Sequence, residues 1–567
     1  MIQRRLLPLL AAAALLCATA VQAETHNSKI KHVLLISVDG MHAVDFMNCA
    51  HGLSGVNDGE PYCPTLAALG QTGVHYNAAS TSKPSDSFPG LMSIVSGATP
   101  RTLGVYYDVA YDRSLDGPEL TTGNGNAAAP CTPYARPTGY TTEYEEGIDL
   151  DQSKVNGGAP GASLTDGTAA SIDPKKLDRD PARGCAPVYP WQFVRTNTIF
   201  GVIHNAGGYA SWFDKHPAYA SVAGRDGIGV LDDFYGPEIN SNVIGLPGVA
   251  TPLGMDCSNV ADPSQTGSWT DSFQNIQCYD TLKVNAILNQ IAGKNHNGGP
   301  GKVPTIFGMN FQAVSVGEKL IEKNVGSGGY LDAAGTPSDL LLGEFQFVDA
   351  SLAEMVQALK ANGLWESTLV IVTAKHAQSP IDPNRFFPIP GHSGANGQSP
   401  ATLLANLLPM SESPANPNGI GPTEDDVSLL WLADSSNTLS AVATLEANAA
   451  QAGIGQILYG QSLSLNYNWP GLGAGLDPRT PDIIVTPNYG VTYTGSSKKQ
   501  EEHGGFSHDD TNVILLISGS GIKPGTVFSE VGTNQVAPTI LRALGLDPNE
   551  LDGVRLEGTQ ALAALPF

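Results

Sequence analysis

An aspartate, a serine, a lysine and several histidines are set apart in this chain by the sequence around them. Asp39 closes an apolar run that begins at Lys31, and Gly40 follows it. Ser87 directly precedes Phe88-Pro89-Gly90, Lys375 and His376 follow the run Leu369 to Thr373, and His503 and His508 come before Asn512 to Ile517. A serine hydroxyl at the head of a helix lies near unpaired backbone amides, which cradle anions. Serine is a weak nucleophile alone. A cation beside it lowers its pKa and neutralises an anionic group in transfer. An acid at a strand end can hold such a cation, and a lysine or histidine can supply charge or move a proton. The plainer reading of Ser87 is a helix cap, a place serine favours anyway. Asp214-Lys215-His216, after Trp212 and Phe213, reads either as a wall beside the site or as a surface turn. His392 lies in the loop Pro390-Gly391-His392-Ser393-Gly394, which could close over a site.

These side chains need a scaffold that brings them to one edge. The run from Lys31 to Asp39 is continuously apolar, as suits a strand covered on both faces. Pro304 to Met309, Leu369 to Thr373 and Asn512 to Ile517 read as further strands, and Val427 to Leu432 and Asp482 to Val485 as shorter ones. Pro89 to Gly97, Tyr279 to Ile291, Phe345 to Leu359 and Val536 to Leu544 read as helices; the third carries Phe345, Val348, Leu352, Met355, Val356 and Leu359 along one side. Strands separated by helices predict an α/β sandwich with a central, mostly parallel sheet and helices on both faces. In such sheets ligands sit at the carboxyl ends of the strands, which is where Asp39, Lys375 and His376 fall.

Four anchors, in this order, resemble the alkaline phosphatase superfamily, and most nearly its branch of type I phosphodiesterases and nucleotide pyrophosphatases. They are Ser37-Val38-Asp39-Gly40; Ser87-Phe88-Pro89-Gly90; Gly104 to Asp108 with Tyr111-Asp112; and Thr373-Ala374-Lys375-His376-Ala377. His503-Gly504 matches a later His-Gly pair, and the resemblance spans roughly residues 30 to 550. It implies that Ser87 is both nucleophile and metal ligand, and that Asp39, His376 and His503 bind metal. The chain departs from the family at four places. Asp108 stands where the branch has an asparagine that donates to a phosphate oxygen, and Lys375 where it has a metal-binding aspartate. Asn310 and Val314 stand where it has an aspartate and a histidine four residues later. These departures argue against two zinc ions in the usual arrangement. They leave one divalent cation, Zn²⁺, Mg²⁺ or Ca²⁺, on Asp39, Ser87, His376 and His503, with Lys375 able to supply charge a missing metal would have given.

The amino terminus reads as an export signal over residues 1–23. Arg4 and Arg5 lead, Leu6 to Leu16 is apolar, and Val21-Gln22-Ala23 suits cleavage before Glu24. The apolar run is too short to span a bilayer. The remainder, 24–567, reads as one catalytic domain with a Gly/Pro-rich insertion around 110–195. Cys17 leaves with the signal; the six others, Cys49, Cys63, Cys131, Cys185, Cys257 and Cys278, suggest three disulfides between sequential neighbours. The net charge of −24 disfavours a nucleic acid polymer as partner.

The expectation is therefore a periplasmic or secreted phosphoester hydrolase with a serine nucleophile, acting on a small phosphodiester or nucleotide-like substrate. Ser87, Lys375 and His376 are its catalytic candidates, and Asp108, Lys215, His216 and His392 its substrate contacts. A phosphomonoesterase or phosphonate hydrolase is the alternative within that class; a non-catalytic binding protein on the same scaffold is the alternative outside it. Leu91 occupies the place where a sulfatase needs arginine. Neither a Gly-Lys-Ser phosphate loop nor a nucleophile-elbow serine occurs. Oligomeric state is left open.

Overall fold

The computed structural model describes residues 29–123, 125–144, 150, 167–241, 245–259, 268–391, 398–409, 423–496 and 498–567. The expected export signal and His392 lie outside these residues.

Eight strands form the central sheet: β1 (His32–Val38), β2 (Gly73–Tyr76), β3 (Ser211–Phe213), β4 (Asp233–Tyr235), β5 (Ile306–Phe311), β6 (Thr368–Thr373), β7 (Leu515–Gly519) and β8 (Gly525–Val527). Their spatial order is β8-β2-β7-β6-β1-β5-β3-β4. β1 pairs in parallel with β5 and β6, β5 with β3, and β3 with β4. β7 runs antiparallel to both β6 and β2. Every residue of β5 and β6 is buried, and so is β1 beyond its first residue. Such strands are covered on both faces, as their unbroken apolar runs predicted.

The covering helices fall into two packed groups. One joins α1 (Ala43–His51), α2 (Pro64–Thr72), α5 (Phe273–Ile291), α6 (Ala313–Lys319) and α7 (Asp339–Ala361); the other joins α3 (Ser87–Ser96), α4 (Ile199–Asn205) and α8 (Val536–Ala543). A smaller four-stranded antiparallel sheet carries Thr423–Glu424, Ser428–Leu430, Ile454–Tyr459 and Ile483–Pro487. Arginine–aspartate pairs fasten it to the main body: Arg195 meets both oxygens of Asp477 at 2.7 and 2.8 Å, and Arg479 meets Asp112 at 2.7 Å.

Within the expected insertion, Val109–Asp112 pairs antiparallel with Tyr140–Glu143. Cys131 is bonded to Cys185, and Cys257 to Cys278. The third expected disulfide is absent: Cys49 and Cys63 are buried free cysteines. Cys49 lies in α1 and its carbonyl accepts from the backbone N–H of Cys63, so the two are neighbours. Burial raises both thiols, Cys49 well above its ordinary value, and a buried protonated thiol is a poor partner in thiol–disulfide exchange.

Candidate active site

Seven of the site's positions come from the carboxyl ends of four parallel strands: Asp39 from β1, Asp214 and Lys215 from β3, Asn310 and Gln312 from β5, and Lys375 and His376 from β6. Gly40 turns the chain after Asp39 at φ +89°, and a Cβ there would come within 2.4 Å of Glu318 Oε2. Ser87 was expected just ahead of its helix, but it is the first residue of α3. The cap is Asp86, whose carboxylate accepts from Phe88 N at 3.1 Å. Gly90 sets the depth of that helix: a Cβ would stand 2.1 Å from the carbonyl oxygen of Lys375. Only glycine lets α3 come this near the end of β6. The Ser-Phe-Pro-Gly anchor thus has a packing reason as well as a chemical one.

Ser87 Oγ lies between opposite charges. It accepts from Lys215 Nζ at 3.1 Å and donates to Asp39 Oδ2 at 3.4 Å. The same carboxylate oxygen accepts from Gln312 Nε2 at 2.6 Å and Asn310 Nδ2 at 3.1 Å. His376 Nε2 stands 3.6 Å and Lys375 Nζ 3.8 Å from it. Burial alone would raise the Asp39 carboxyl, but Lys375, His376 and Lys215 together hold it well below the ordinary range.

Lys375 is itself anchored. Its ammonium donates to Asp214 Oδ1 at 2.8 Å and sits 3.8 Å from the centre of the Tyr219 ring. Asp214 also accepts from the Trp212 indole and the Lys215 backbone, each at 2.8 Å. The His376 and His503 rings lie 4.1 Å apart. Burial, with help from His376 and Lys215, holds His503 well below the usual imidazole range, so it is neutral near pH 7. Gln312 owes its position to Asp280, which accepts from the backbone N–H of Gln312 and Ala313 at 2.7 and 2.9 Å.

The other expected contacts divide. Lys215, one of the wall-or-turn residues, is buried against the serine. His216 bonds Glu238 at 2.8 Å and stacks on Tyr219. Asp108 is half-buried; its N–H donates to Asp86 at 3.1 Å and its carboxylate accepts from Val109 N at 2.6 Å. Gln312, Asp86 and Tyr219 carried no motif signal. Gln312 is two residues beyond the site of the missing aspartate, and that spacing was the available clue.

The family resemblance implies a cation on Asp39, Ser87, His376 and His503, and the donor set does not fit one. A metal ligand must present a lone pair, yet Asp39 Oδ2 is already surrounded by N–H and O–H donors, with one ammonium beside it and another on Ser87. Among the described residues, the three His and acidic ligand atoms drawn within 4.8 Å of one another belong instead to His42, Asp45 and Glu318. That buried group could hold a metal ion. His42 Nδ1 is 3.0 Å from Asp45 Oδ2, and Tyr330 donates to Glu318 at 2.9 Å.

The family model for type I phosphodiesterase / nucleotide pyrophosphatase matches residues 33–146 and 330–510. No curated protein sequence matches the chain. Among solved structures, murine ectonucleotide pyrophosphatase / phosphodiesterase 5 superposes with a TM-score of 0.51 at 14% identity, over 91% of this chain and 96% of that one. An inactive form of the murine protein, solved in complex with AMP, gives 0.52 at 14% over the same shares. Wild-type alkaline phosphatase PafA gives 0.51 at 13% identity, over 95% of this chain and 99% of that one. At these identities the structural likeness establishes the fold, while the family match covers more than half of the sequence. The chain belongs to the type I phosphodiesterase / nucleotide pyrophosphatase family of the alkaline phosphatase superfamily, and so to the phosphoric ester hydrolases.

Proposed function

We propose that this protein is an exported phosphodiester hydrolase in which Ser87 is the nucleophile. The observation that carries the reading is the position of Ser87 Oγ, which accepts from Lys215 Nζ and donates to Asp39 Oδ2 at the first turn of α3. The ammonium stabilises negative charge on the attacking oxygen, and Asp39 accepts its proton. The Ser87 Oγ–P bond forms as the bond from phosphorus to the leaving oxygen breaks.

The two nitrogens of His376 face acceptors, Asp39 at 3.6 Å and the Ala377 carbonyl at 3.2 Å. In the proposed cycle His376 is the acid that protonates the departing alkoxide. Water then attacks the phosphoserine and gives a proton to the now neutral His376. Ser87 leaves and recovers its own proton from Asp39. Lys375 and Lys215 face the charge that builds on the phosphoryl oxygens.

A nucleotide-like diester is the substrate class we favour, supported by the family and by the AMP complex of the murine relative. Two disulfides support export to an oxidising compartment. Among the described residues no helix is long and apolar enough to cross a membrane. A second reading, a non-catalytic phosphoester-binding protein, draws on the full burial of Ser87, Asp39 and Lys375 and on Asn310, Val314 and Asp108.

The test is turnover of bis(p-nitrophenyl) phosphate, p-nitrophenyl phosphate and p-nitrophenyl phenylphosphonate by the mature protein and by Ser87→Ala. Diester turnover that disappears in the variant supports the hydrolase. Turnover of the monoester or phosphonate alone moves the substrate class. Equal background rates from both proteins would leave the binding-protein reading.

A further inference from the structure

The residues around Ser87 do more than fail to fit a metal. Asn310 and Lys375 stand where the family resemblance places carboxylates, so an amide and an ammonium replace two negative charges. With the added carboxylate of Asp108 counted against them, the site's own side chains are two charges more positive for it, the direction that removal of metal cations would require. The replacements also answer one another. Asn310 Nδ2 donates to Asp39 Oδ2 at 3.1 Å, and Gln312 Nε2 to the same oxygen at 2.6 Å. The reversed amide of Asn310 would set its oxygen against a carboxylate, so the donor orientation is the one electrostatics demands.

The two ammonium groups are held differently. Lys375 is fully buried, tied to Asp214 at 2.8 Å and lying over the Tyr219 ring. Asp214 is in turn fixed by the Trp212 indole. This is a stationary cation, built in by its neighbours as a bound ion would be. Lys215 is 4% exposed and directs Nζ at Ser87 Oγ from 3.1 Å. Together they place one ammonium on Ser87 Oγ and another 3.8 Å from the Asp39 oxygen to which that hydroxyl donates. A buried charge that needs no reorganisation acts far more strongly than one in water.

We propose that the site at Ser87 recognises a tetrahedral oxyanion, the phosphoryl group of a phosphoester, through the ammonium groups of Lys215 and Lys375 and with no divalent ion. The proposal rests on the placement of the reacting group at Ser87, and not on turnover. In the binding step Ser87 presents its hydroxyl, the lysines carry the charge, and the Asp39 carboxylate stays ionised against its N–H donors.

The mature protein, purified without added metal, provides the test by two measurements. Metal content is read by plasma mass spectrometry, and orthovanadate binding is followed by calorimetry on the protein as purified and on protein stripped with EDTA and then freed of the chelator, which would itself bind vanadate. The expected result is no stoichiometric ion beside Ser87, with saturable vanadate binding that EDTA leaves unchanged. Binding should weaken by about 10-fold or more in Lys215→Met, whose charge-assisted donor is gone. An ion at the His42, Asp45 and Glu318 group is told apart because Asp45→Asn releases it while vanadate binding persists.

A stoichiometric ion that Asp39→Ala releases, with vanadate binding lost on chelation and restored by Zn²⁺, would overturn the proposal. So would a wild-type protein that, once stripped of metal and freed of chelator, takes up no vanadate, or a folded Lys215→Met that binds it as tightly as the wild type. Metal-free vanadate binding without turnover would keep the inference and end the hydrolase reading, so the two fail separately.

Discussion

The ammonium of Lys215 and the hydroxyl of Ser87 are 3.1 Å apart although 128 residues separate them in sequence. Each sits at the end of its own element, the one after β3 and the other at the start of α3. A lysine in that place stabilises the alkoxide form of the serine. Lys215→Met should therefore lower kcat for a phosphodiester by roughly 10²- to 10³-fold, the usual cost of one preorganised donor. Steady-state kinetics with circular dichroism on the same samples will show whether the loss is chemical.

Ser87→Ala removes the proposed nucleophile and leaves the charges around it. Turnover should fall by about 10³-fold or more, as for other activated nucleophiles. Acid quenching of the wild type with a slow diester should trap a phosphoserine on the peptide containing Ser87. Trapping on any other peptide would move the nucleophile elsewhere.

Restoring the family's ligands should restore its metal chemistry. The triple substitution Asn310→Asp, Val314→His and Lys375→Asp returns two carboxylates to the ends of β5 and β6 and an imidazole to the first turn of α6. That protein should take up zinc when the wild type does not take it up beside Ser87, as measured after dialysis against a metal buffer. Lys375→Asp alone should be destabilising, because it buries a carboxylate against Asp214 and Asp39.

Acid should loosen the smaller sheet first. Burial pushes the Asp477 carboxyl up, but the paired hydrogen bonds from Arg195 outweigh it and bring it down to about 2. A folded-state pKa below the unfolded value of 3.8 gives stability that is complete above that value. It is lost as the pH falls from about 4 to about 2. Asp477→Asn should cost about 2 kcal/mol at pH 7 and far less at pH 2. Denaturant titrations at the two pH values will report the difference.

Thiol counting checks the cysteine assignment. The mature protein, unfolded without reductant, should react with two equivalents of iodoacetamide, at Cys49 and Cys63. Replacing Cys257 and Cys278 by serine should cost roughly 3 kcal/mol, the loop-entropy value for their separation of 21 residues. Alkylation of four residues would mean that a disulfide is open in solution.

The sequence announced its scaffold more readily than its electrostatics. Continuous apolar runs ending in Asp39 or Thr373 mark buried parallel strands, because strands covered on both faces have no polar alternation to hide them. Glycine told more than was read from it: Gly90 follows Ser87 because α3 must touch the carbonyl of Lys375. Lys375 was recognised as a departure, but not its partner. The pairing with Asp214 joins residues 161 apart, and local pattern has no reach over that distance. Lys215 could be read as a surface turn because a lysine is usually solvated; only the end of β3, aimed at the head of α3, buries it. Gln312 had no signal, since a neutral amide beside a carboxylate resembles any other loop glutamine.

The reversed strand β7 lies between β2 and β6, although it is made from residues 515–519. The ribosome therefore delivers the middle of the sheet nearly last. A nascent chain that has emerged only through β6 holds Asp39, Ser87, Lys215 and Lys375, yet β2 has nothing to join and His503 has not been synthesised. Such a chain stays unfinished for most of its translation. Under the proposed export, that is the state a threading channel needs, and it would keep the cluster around Ser87 from assembling before the chain has crossed.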